Sequence, residues 1–266
     1  METVRQTLRK RILRKRIKSV NVLYERMIES DINEFKKTLI GKEFKDIDRR
    51  GKWLLFDLGD YYLCSHLRME GKYFIKNKED KIEKHEHVII EFDDGEQLRY
   101  HDTRKFGRMN LVKKEDLESV EGVHKQGIEP IDDRLSKEYL YDNFHKRKLP
   151  IKTLLLDQTI ISGLGNIYAD EVLFASGIYP EKMGIDISLK ECQKIVDTSK
   201  NIIEEAIKCG GTTIRSYTSS LGVTGRFQQN LMVHKREGEN CRKCNSIIKR
   251  IKVGGRSTYY CPKCQK

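Results

Sequence analysis

Four cysteines in two closely spaced pairs constrain the carboxyl-terminal end of this chain more than any other sequence feature. Cys241 and Cys244 form one C-x-x-C pair, Cys261 and Cys264 form the other, and sixteen residues separate the pairs. A turn within each pair and a hairpin between them would bring four thiolates onto one tetrahedral ion, as in a zinc ribbon. Because four thiolates leave no open position for water, the pattern predicts one structural Zn²⁺; the alternative is a set of redox thiols.

The composition is that of a folded protein of one large or two smaller domains. The chain has 266 residues, of which 38% are hydrophobic and 35% are charged. It has no apolar run near the roughly 18 residues of a membrane span, and its start lacks the features of a secretory signal. We therefore expect a cytoplasmic protein, in which thiols stay reduced. The isolated cysteines are expected to be small apolar core residues: Cys64, Cys192 and Cys209.

Positive charge is concentrated at both ends of the sequence. Residues 1–20 carry eight cations and one acid, and residues 241–266 carry eight cations and no acid. Such runs are typical of surfaces that face phosphates, although a single charge run is more often a solvated face. Two runs together with a metal site favour a nucleic-acid partner.

Hydrophobic spacing divides the chain into a β-rich part and a helical part. Residues 2 to about 16 have helical spacing, and short apolar segments bounded by turns then predict strands at 53–58, 61–67, 87–92, 97–102 and 109–112. The helical period returns after residue 134 and continues to paired glycines at 210–211. This predicts an α+β fold: an N-terminal helix and β-sandwich domain (1–124), a linker (125–134), a helical domain (135–228) and a zinc-ribbon hairpin (229–266).

A glycine-led segment makes the chain recognisable. The stretch "ISGLGNIYADEVLFASGIYP" (161–180) places Asn166 as an expected N-cap after Gly163 and Gly165, and a helix start of this kind can bind an anion. With "IKTLLLDQ" before it and the cysteine pairs after it, the segment resembles the helix-two-turns-helix core of formamidopyrimidine-DNA glycosylases and the related endonuclease VIII enzymes. The resemblance extends to further blocks in the same order: "RRGKWLLFDL", "HLRMEG", "KHEHV", "DTRKFG", "GGTT", "GRFQQNLMVHKREGENC" and "GGRSTYYCPKCQK".

The resemblance implies two catalytic residues. Lys52 falls on the lysine that assists catalysis and the β-elimination step, although its sequence context alone would make it a solvated residue at a strand edge. Arg256 falls on the ribbon arginine that contacts phosphate at the lesion and is associated with δ-elimination. By position alone, Arg256 is a solvated hairpin arginine.

The resemblance also implies a set of DNA contacts. Met69, Arg104 and Phe106 fall on the residues that fill the gap left by a flipped nucleotide, whereas core packing would otherwise explain Met69 and Phe106. Phosphate contacts are implied for His85, Arg104, Arg147, Lys152 and Asn166. The stretch from Gly210 to Phe227 resembles a loop that caps an everted oxidised purine. His234 departs from the family, which often has tyrosine there.

The resemblance leaves the beginning of the family pattern unmatched. Family members usually begin Met-Pro-Glu-Leu-Pro-Glu-Val-Glu-Thr, and this sequence begins Met1-Glu2-Thr3. In the family the proline amine attacks C1′ of the damaged nucleotide. We therefore expect a truncated version of an active enzyme, and we expect the 266 residues alone to bind lesion DNA without normal excision.

Three functions fit these features. The favoured one is a bifunctional glycosylase and abasic-site lyase of base excision repair that removes oxidised purines, namely 8-oxoguanine and formamidopyrimidines. The alternatives are an endonuclease VIII-type enzyme for oxidised pyrimidines and a non-catalytic damaged-DNA-binding protein. The expected partner is double-stranded DNA with an oxidised base or an abasic site, bound by a monomer without a membrane role. The resemblance further implies a bacterial, nucleoid-associated location.

Overall fold

The computed structural model describes residues 1–211 and 226–266. The described residues divide into two compact units, one of residues 1–124 and one of residues 125–211 together with 226–266. Most of the predicted capping loop, from Gly210 to Phe227, lies outside the described residues. None of the helices in the two described ranges is both long enough and apolar enough to cross a bilayer.

The first unit begins with helix α1 (Glu2–Ile12). Val4, Leu8 and Ile12 recur every fourth residue, so they lie on one face of the helix and are buried. The helix is shorter than predicted. It ends at Ile12 because Leu13 is extended and Arg14 has a left-handed φ of 64°.

Two four-stranded antiparallel sheets follow, in the orders β1-β6-β7-β5 and β2-β3-β4-β8. The strands are β1 (Ile17–Val22), β2 (Asp46–Arg50), β3 (Trp53–Asp57), β4 (Tyr61–His66), β5 (Lys72–Asn77), β6 (Glu86–Phe92), β7 (Glu96–His101) and β8 (Arg108–Lys113). Helix α2 (Ile32–Leu39) is capped by Asp31, whose side chain accepts from the backbone N–H groups of Asn33 and Glu34. One hydrophobic core joins α1, α2 and both sheets. The predicted β-sandwich with an N-terminal helix is confirmed.

The second unit is helical. Its helices are α3 (Lys137–His145), α4 (Ile151–Leu156), α5 (Asn166–Ser176) and α6 (Leu189–Lys208). Helix α6 begins with a capping box between Ser188 and Glu191, and Gly210 follows its last turn with a φ of 75°. The prediction that Asn166 is an N-cap is wrong. Gly165 is the N-cap of α5, and Asn166 is the first helical residue, so its side chain serves another purpose.

The zinc-ribbon hairpin consists of β9 (Lys249–Val253) and β10 (Arg256–Tyr260). Gly254 and Gly255 connect the strands with φ angles of 53° and 77°, values that suit a two-residue hairpin turn with both central residues left-handed. The ribbon shares its small core with α5: Phe174, Val233, Cys241, Ile248 and Cys261. The predicted ribbon is confirmed, and it packs within the helical unit.

Candidate nucleic-acid interface

Two loops of the first unit carry the residues that the resemblance assigns to the gap in the base stack. Met69 follows β4, and Arg104 and Phe106 lie between β7 and β8. Met69 is 68% exposed and Phe106 is 49% exposed, although both are large and apolar. The guanidinium of Arg104 donates to Met69 Sδ over 3.0 Å, and its carbon lies 4.6 Å from the centre of the Phe106 ring. The structure therefore brings these three residues together in one exposed group, here called the wedge.

Asp102 holds the loop of the wedge in shape. Its side chain is fully buried and accepts from three backbone N–H groups, those of Arg104, Phe106 and Gly107, each over 2.9 Å. The Asp102 carbonyl lies 2.8 Å from His87 Nε2. Because the carboxylate satisfies the donors of the loop internally, Arg104 and Phe106 can point outward without leaving buried polar groups unpaired.

Tyr100 supports both wedge loops from behind. A Cβ on Gly71, after the Met69 loop, would lie 2.2 Å from the Tyr100 hydroxyl, and a Cβ on Gly107, after the Phe106 loop, would lie 1.7 Å from it. No side chain fits at such distances, so both loops need glycine where they pass this ring. Tyr100 itself is buried in β7.

Lys52 occupies the two-residue turn between β2 and β3, after Gly51 with its φ of 57°. Arg49 donates to the Gly51 carbonyl and to Glu2 Oε2, each over 3.0 Å, and so ties this turn to the start of α1. Burial would raise the pKa of Glu2, but hydrogen bonds from Arg5 and Arg49 outweigh it and lower the pKa to about 2. The turn that carries Lys52 is therefore held beside the first residues of the chain.

The pKa of His66 depends in part on the positive charge of Lys52. Burial, followed by the positive charges of Arg68 and Lys52, lowers the pKa of His66 to about 4. Because this is below the unfolded value near 6.5, the unfolded chain binds more protons, so the stability that His66 contributes is complete above pH 6.5 and is lost as the pH falls towards 4. The loss can reach about 3 kcal/mol, since one pKa unit corresponds to about 1.4 kcal/mol.

We expect Lys52→Gln to raise the pKa of His66 towards its ordinary value, because one nearby positive charge is removed. Proton NMR titration of the His66 ring measures this directly, and Lys78→Gln, which removes an exposed cation elsewhere, serves as the control. An unchanged His66 titration in the Lys52 variant would place the ammonium away from this ring.

His85 lies beside the loop of the wedge. Its carbonyl accepts from Asp102 N–H over 3.0 Å, and its ring lies 5.7 Å from His101 and 6.4 Å from His87. Burial and then the charges of Lys72 and His85 lower the pKa of His101. His85 and His101 are thus the half-buried members of a histidine group beside the loop of the wedge, and the predicted phosphate contact of His85 remains a prediction.

The four predicted metal ligands meet in one cluster. The Sγ atoms of Cys241, Cys244, Cys261 and Cys264 all lie within 4.8 Å of one another, with pairs at 3.9 Å and 3.4 Å. A tetrahedron of thiolates about 2.3 Å from Zn²⁺ has edges of about 3.8 Å, so the cluster fits one structural zinc ion. Gln265 braces it, accepting from Cys261 N–H and donating to the Ile178 carbonyl after α5. Burial raises the pKa of Cys64 and of Cys192 to about 12, as expected for core thiols.

Lys152 and Asn166 converge on the hairpin strand that carries Arg256. Both side chains donate to the Ser257 carbonyl, Lys152 Nζ over 3.2 Å and Asn166 Nδ2 over 2.9 Å. Lys152 is fully buried and pairs with Asp170, which is also fully buried, whereas Arg256 is exposed. The structure therefore brings three predicted site residues together, but it places the Lys152 ammonium inside the unit.

Arg147 makes an ion pair with Asp157 after α4, and its guanidinium also donates to Thr159 over 3.5 Å. Nearby, Gln158 accepts from Gly163 N–H and donates to the Leu164 carbonyl. Gly163 has a φ of 90° and open space where a Cβ would be. The segment between α4 and α5 is thus held by its own hydrogen bonds, and Gly163 within it faces open space.

The two basic ends of the chain differ in their charge environment. In residues 1–20, five of the eight cations pair with acids of the first unit: Arg5, Arg9, Arg11, Lys15 and Lys18. All eight cations of residues 241–266 are exposed, and within the described ranges one of them, Arg250, forms an ion pair, with Glu237. In the described residues, ion pairs therefore neutralise less of the positive charge of the ribbon than of residues 1–20, and the ribbon charge is available to a partner.

Family models match three successive parts of the chain. Residues 1–109 match the formamidopyrimidine-DNA glycosylase N-terminal domain, residues 126–218 match the helix-two-turns-helix domain of the same enzymes, and residues 238–266 match the zinc finger found in FPG and IleRS. The chain belongs to the formamidopyrimidine-DNA glycosylase family. The match of the ribbon to a zinc finger agrees with the geometry of the four cysteines.

Named members of this family are similar along the whole chain. The formamidopyrimidine-DNA glycosylase of Ligilactobacillus salivarius is 48% identical over 269 residues, which cover 100% of this chain and 96% of that protein. The enzyme of Oceanobacillus iheyensis is 42% identical over 267 residues, covering 100% and 95%. A solved structure of Lactococcus lactis Fpg with abasic-site DNA has a TM-score of 0.94 and 40% identity, covering 100% of this chain and 97% of that one. A second, with Fapy-dG DNA, has a TM-score of 0.93 and 40% identity, covering 100% and 98%.

Sequence reasoning missed several residues that support the site. Asp102 carried a signal, because an aspartate that opens a short glycine-ended loop commonly accepts backbone N–H bonds. Asp170 and Glu171 also carried one, since adjacent acids in an otherwise buried apolar helix need buried partners. Glu171 accepts from the backbone N–H groups of residues 232, 233 and 234 and so fixes the segment that leads into the ribbon. Tyr100 and Gln265 gave no sequence signal.

Proposed function

We propose that this protein is a bifunctional DNA glycosylase and abasic-site lyase of base excision repair that removes oxidised purines from double-stranded DNA. The observation that carries the proposal is the wedge. Met69, Arg104 and Phe106 form an exposed group on two loops that Asp102 and Tyr100 hold in place. An exposed apolar pair that buried residues hold in a fixed shape supports a surface that a partner contacts.

Damaged duplex is the partner that best fits the exposed groups. An apolar wedge can support a kinked base stack, an aromatic ring can stack on the neighbouring base, and a guanidinium can bond the base left without its pair. The relative from Lactococcus lactis has been solved with abasic-site DNA and with Fapy-dG DNA. The eight exposed cations of residues 241–266 supply phosphate contacts, so binding should weaken as salt rises.

The proposed chemistry needs an amine, a lysine and an arginine. In the family an amino-terminal proline attacks C1′ and displaces the damaged base. The C1′–O4′ bond then breaks, which opens the sugar and gives an iminium. The iminium makes the C2′ proton acidic, so its removal expels the 3′ phosphate in β-elimination. Lys52 assists the β-elimination step, and Arg256 contacts the phosphate whose departure completes δ-elimination. The turn of Lys52 is tied through Arg49 to Glu2 in the first turn of α1.

Excision assays on 8-oxoguanine and thymine glycol duplexes, combined with borohydride trapping, test the proposal. The 266-residue chain should be compared with a form preceded by Pro-Glu-Leu-Pro-Glu and with the same form carrying Lys52→Gln. We expect the preceded form to excise 8-oxoguanine and to be trapped on DNA, and we expect the lysine variant to lose about 100-fold in rate, the lower end of the range for a proton-transfer group.

Other outcomes would each replace the proposal with a different function. Preference for thymine glycol would make the protein an endonuclease VIII-type enzyme. Tight binding to lesion DNA without excision by any form would make it a damage-binding protein. Equal binding of damaged and intact duplexes would remove the damage-repair function altogether.

A further inference from the structure

The strand that carries Arg256 is held at the next residue. The Ser257 carbonyl accepts from Lys152 Nζ over 3.2 Å and from Asn166 Nδ2 over 2.9 Å. A carbonyl bonded by two side chains from two helices cannot rotate freely, so the strand is fixed one residue after Arg256. The backbone that carries the exposed arginine is therefore held in place by Lys152 and Asn166.

A second contact locates the hairpin on the same helix. A Cβ on Gly254, in the turn before β10, would lie 2.8 Å from the hydroxyl of Thr153. Thr153 follows Lys152 in α4, so adjacent residues of one helix contact the hairpin at its turn and at its strand. The turn and the strand on either side of Arg256 are thus fixed relative to α4.

Lys152 owes its position to Asp170. Its ammonium lies 2.5 Å from Asp170 Oδ1, and neither side chain is exposed. Burial lowers the pKa of Lys152, Asp170 opposes this, and the charge of Arg256 adds to the lowering, so Arg256 lies within electrostatic range of the buried pair. A buried ammonium without its carboxylate would leave the carbonyl contact or lose its proton.

Asp170 is itself fixed on its other oxygen. His234 Nδ1 lies 2.6 Å from Asp170 Oδ2, and the His234 ring packs edge-on against Tyr259 in β10, with centroids 5.1 Å apart. Asp170 therefore connects to the hairpin strand by two routes, through Lys152 to Ser257 and through His234 to Tyr259. Both routes end within three residues of Arg256.

We propose that Asp170 is a positioning residue that acts through Lys152 and the Ser257 carbonyl to hold Arg256 against a phosphate of bound DNA. This rests on the proposed function, because it takes damaged duplex as the ligand of Arg256. It gives Lys152 a different role from the direct phosphate contact that the resemblance implies. In the described residues the ammonium is used internally, by Asp170 and Ser257.

The salt dependence of binding to a duplex with a tetrahydrofuran abasic analogue tests this role. Each phosphate contact contributes about 0.9 to the slope of log affinity against log salt. We expect Arg256→Met to reduce the slope by about 0.9 and to weaken binding about tenfold. We expect Asp170→Asn to do the same, and the double variant to do no more than either. Asp133→Asn, which removes an exposed acid paired with Lys200, is the matched control.

The slope separates positioning from general damage, because a partly unfolded sample lowers the active fraction without changing the number of phosphates contacted. A double variant that loses about twice 0.9 would mean that the buried group contacts DNA independently of Arg256, and the proposal would fail. An unchanged slope in Asp170→Asn would also overturn it.

A second variant covers the case in which Asp170→Asn does not fold. Lys152→Met combined with Asp170→Asn removes both buried charges together, which costs less stability than leaving one unpaired. It too should reduce the slope by about 0.9, and an unchanged slope would defeat the proposal. If the wild-type protein binds abasic and intact duplexes equally, the proposed function fails instead, whatever the variants do.

Discussion

Cys241→Ser is expected to abolish zinc binding and to weaken binding to abasic-site duplex by about 100-fold or more. The ribbon has a small core of Phe174, Val233, Cys241, Ile248 and Cys261. A core of this size cannot hold a hairpin by burial alone, and the ribbon therefore depends on the free energy of metal binding, about 10 kcal/mol or more for structural sites. Without the hairpin, Arg256 and the other ribbon cations lose their arrangement.

Metal analysis of the purified protein and electrophoretic mobility shift measure the two effects. Cys209→Ser is the matched control, because Cys209 follows α6 and lies outside the cluster, so zinc content and affinity should stay at the wild-type level. The first unit should keep its folding transition in the Cys241 variant, since its hydrophobic clusters take their side chains from residues 1–123. Full affinity in a zinc-free protein would contradict the role assigned to the ribbon.

Asp102→Ala is expected to cost about 3 kcal/mol of unfolding free energy and most of the preference for damaged over intact duplex. The carboxylate accepts from three backbone N–H groups, and alanine leaves all three donors, of which Gly107 N–H is buried, without this acceptor. The loop would then lose its shape, and Arg104 and Phe106 would no longer lie beside Met69. Urea unfolding gives the stability, and competition binding with intact duplex gives the preference.

Asp102→Asn is the graded control. A single amide oxygen can face either the donor at Arg104 or the two donors at Phe106 and Gly107, so we expect an intermediate loss. Asp60→Ala removes an exposed carboxylate paired with Lys42 and should leave the unfolding free energy close to that of the wild-type protein. Equal stabilities of the wild-type protein and Asp102→Ala would show that solvent replaces the carboxylate.

Local spacing predicted those parts of the fold that depend on neighbours in sequence. The apolar runs of β3, β4, β6, β7 and β8 and the helical period of α3 to α6 were readable because side-chain periodicity reflects burial. Strand β2 was not, because "DIDRR" has one apolar residue, Ile47, and becomes a strand by pairing with β3. Strands β1 and β5 carry polar residues at solvent-facing positions and are likewise ordered by their partners.

The residues of the candidate site also divide into those that local spacing predicts and those that depend on distant partners. The zinc ligands could be predicted because the spacing of a C-x-x-C pair fixes the local geometry of two thiolates. The pair of Lys152 and Asp170 could not, because it joins α4 to α5 and its partner carbonyl is 105 residues from the lysine. The exposure of Met69 and Phe106 was likewise invisible to hydrophobicity, which favours burial for both residue types.

The placement of Tyr100 behind both wedge loops has a consequence for how this surface can change. The hydroxyl occupies the space that a Cβ on either Gly71 or Gly107 would fill. A larger residue at either glycine would therefore push the Tyr100 ring and shift the opposite loop as well. A change beside Met69 would then move Phe106, and a change beside Phe106 would move Met69. The two loops are therefore mechanically coupled at Gly71 and Gly107, although these glycines lie 36 residues apart in the sequence.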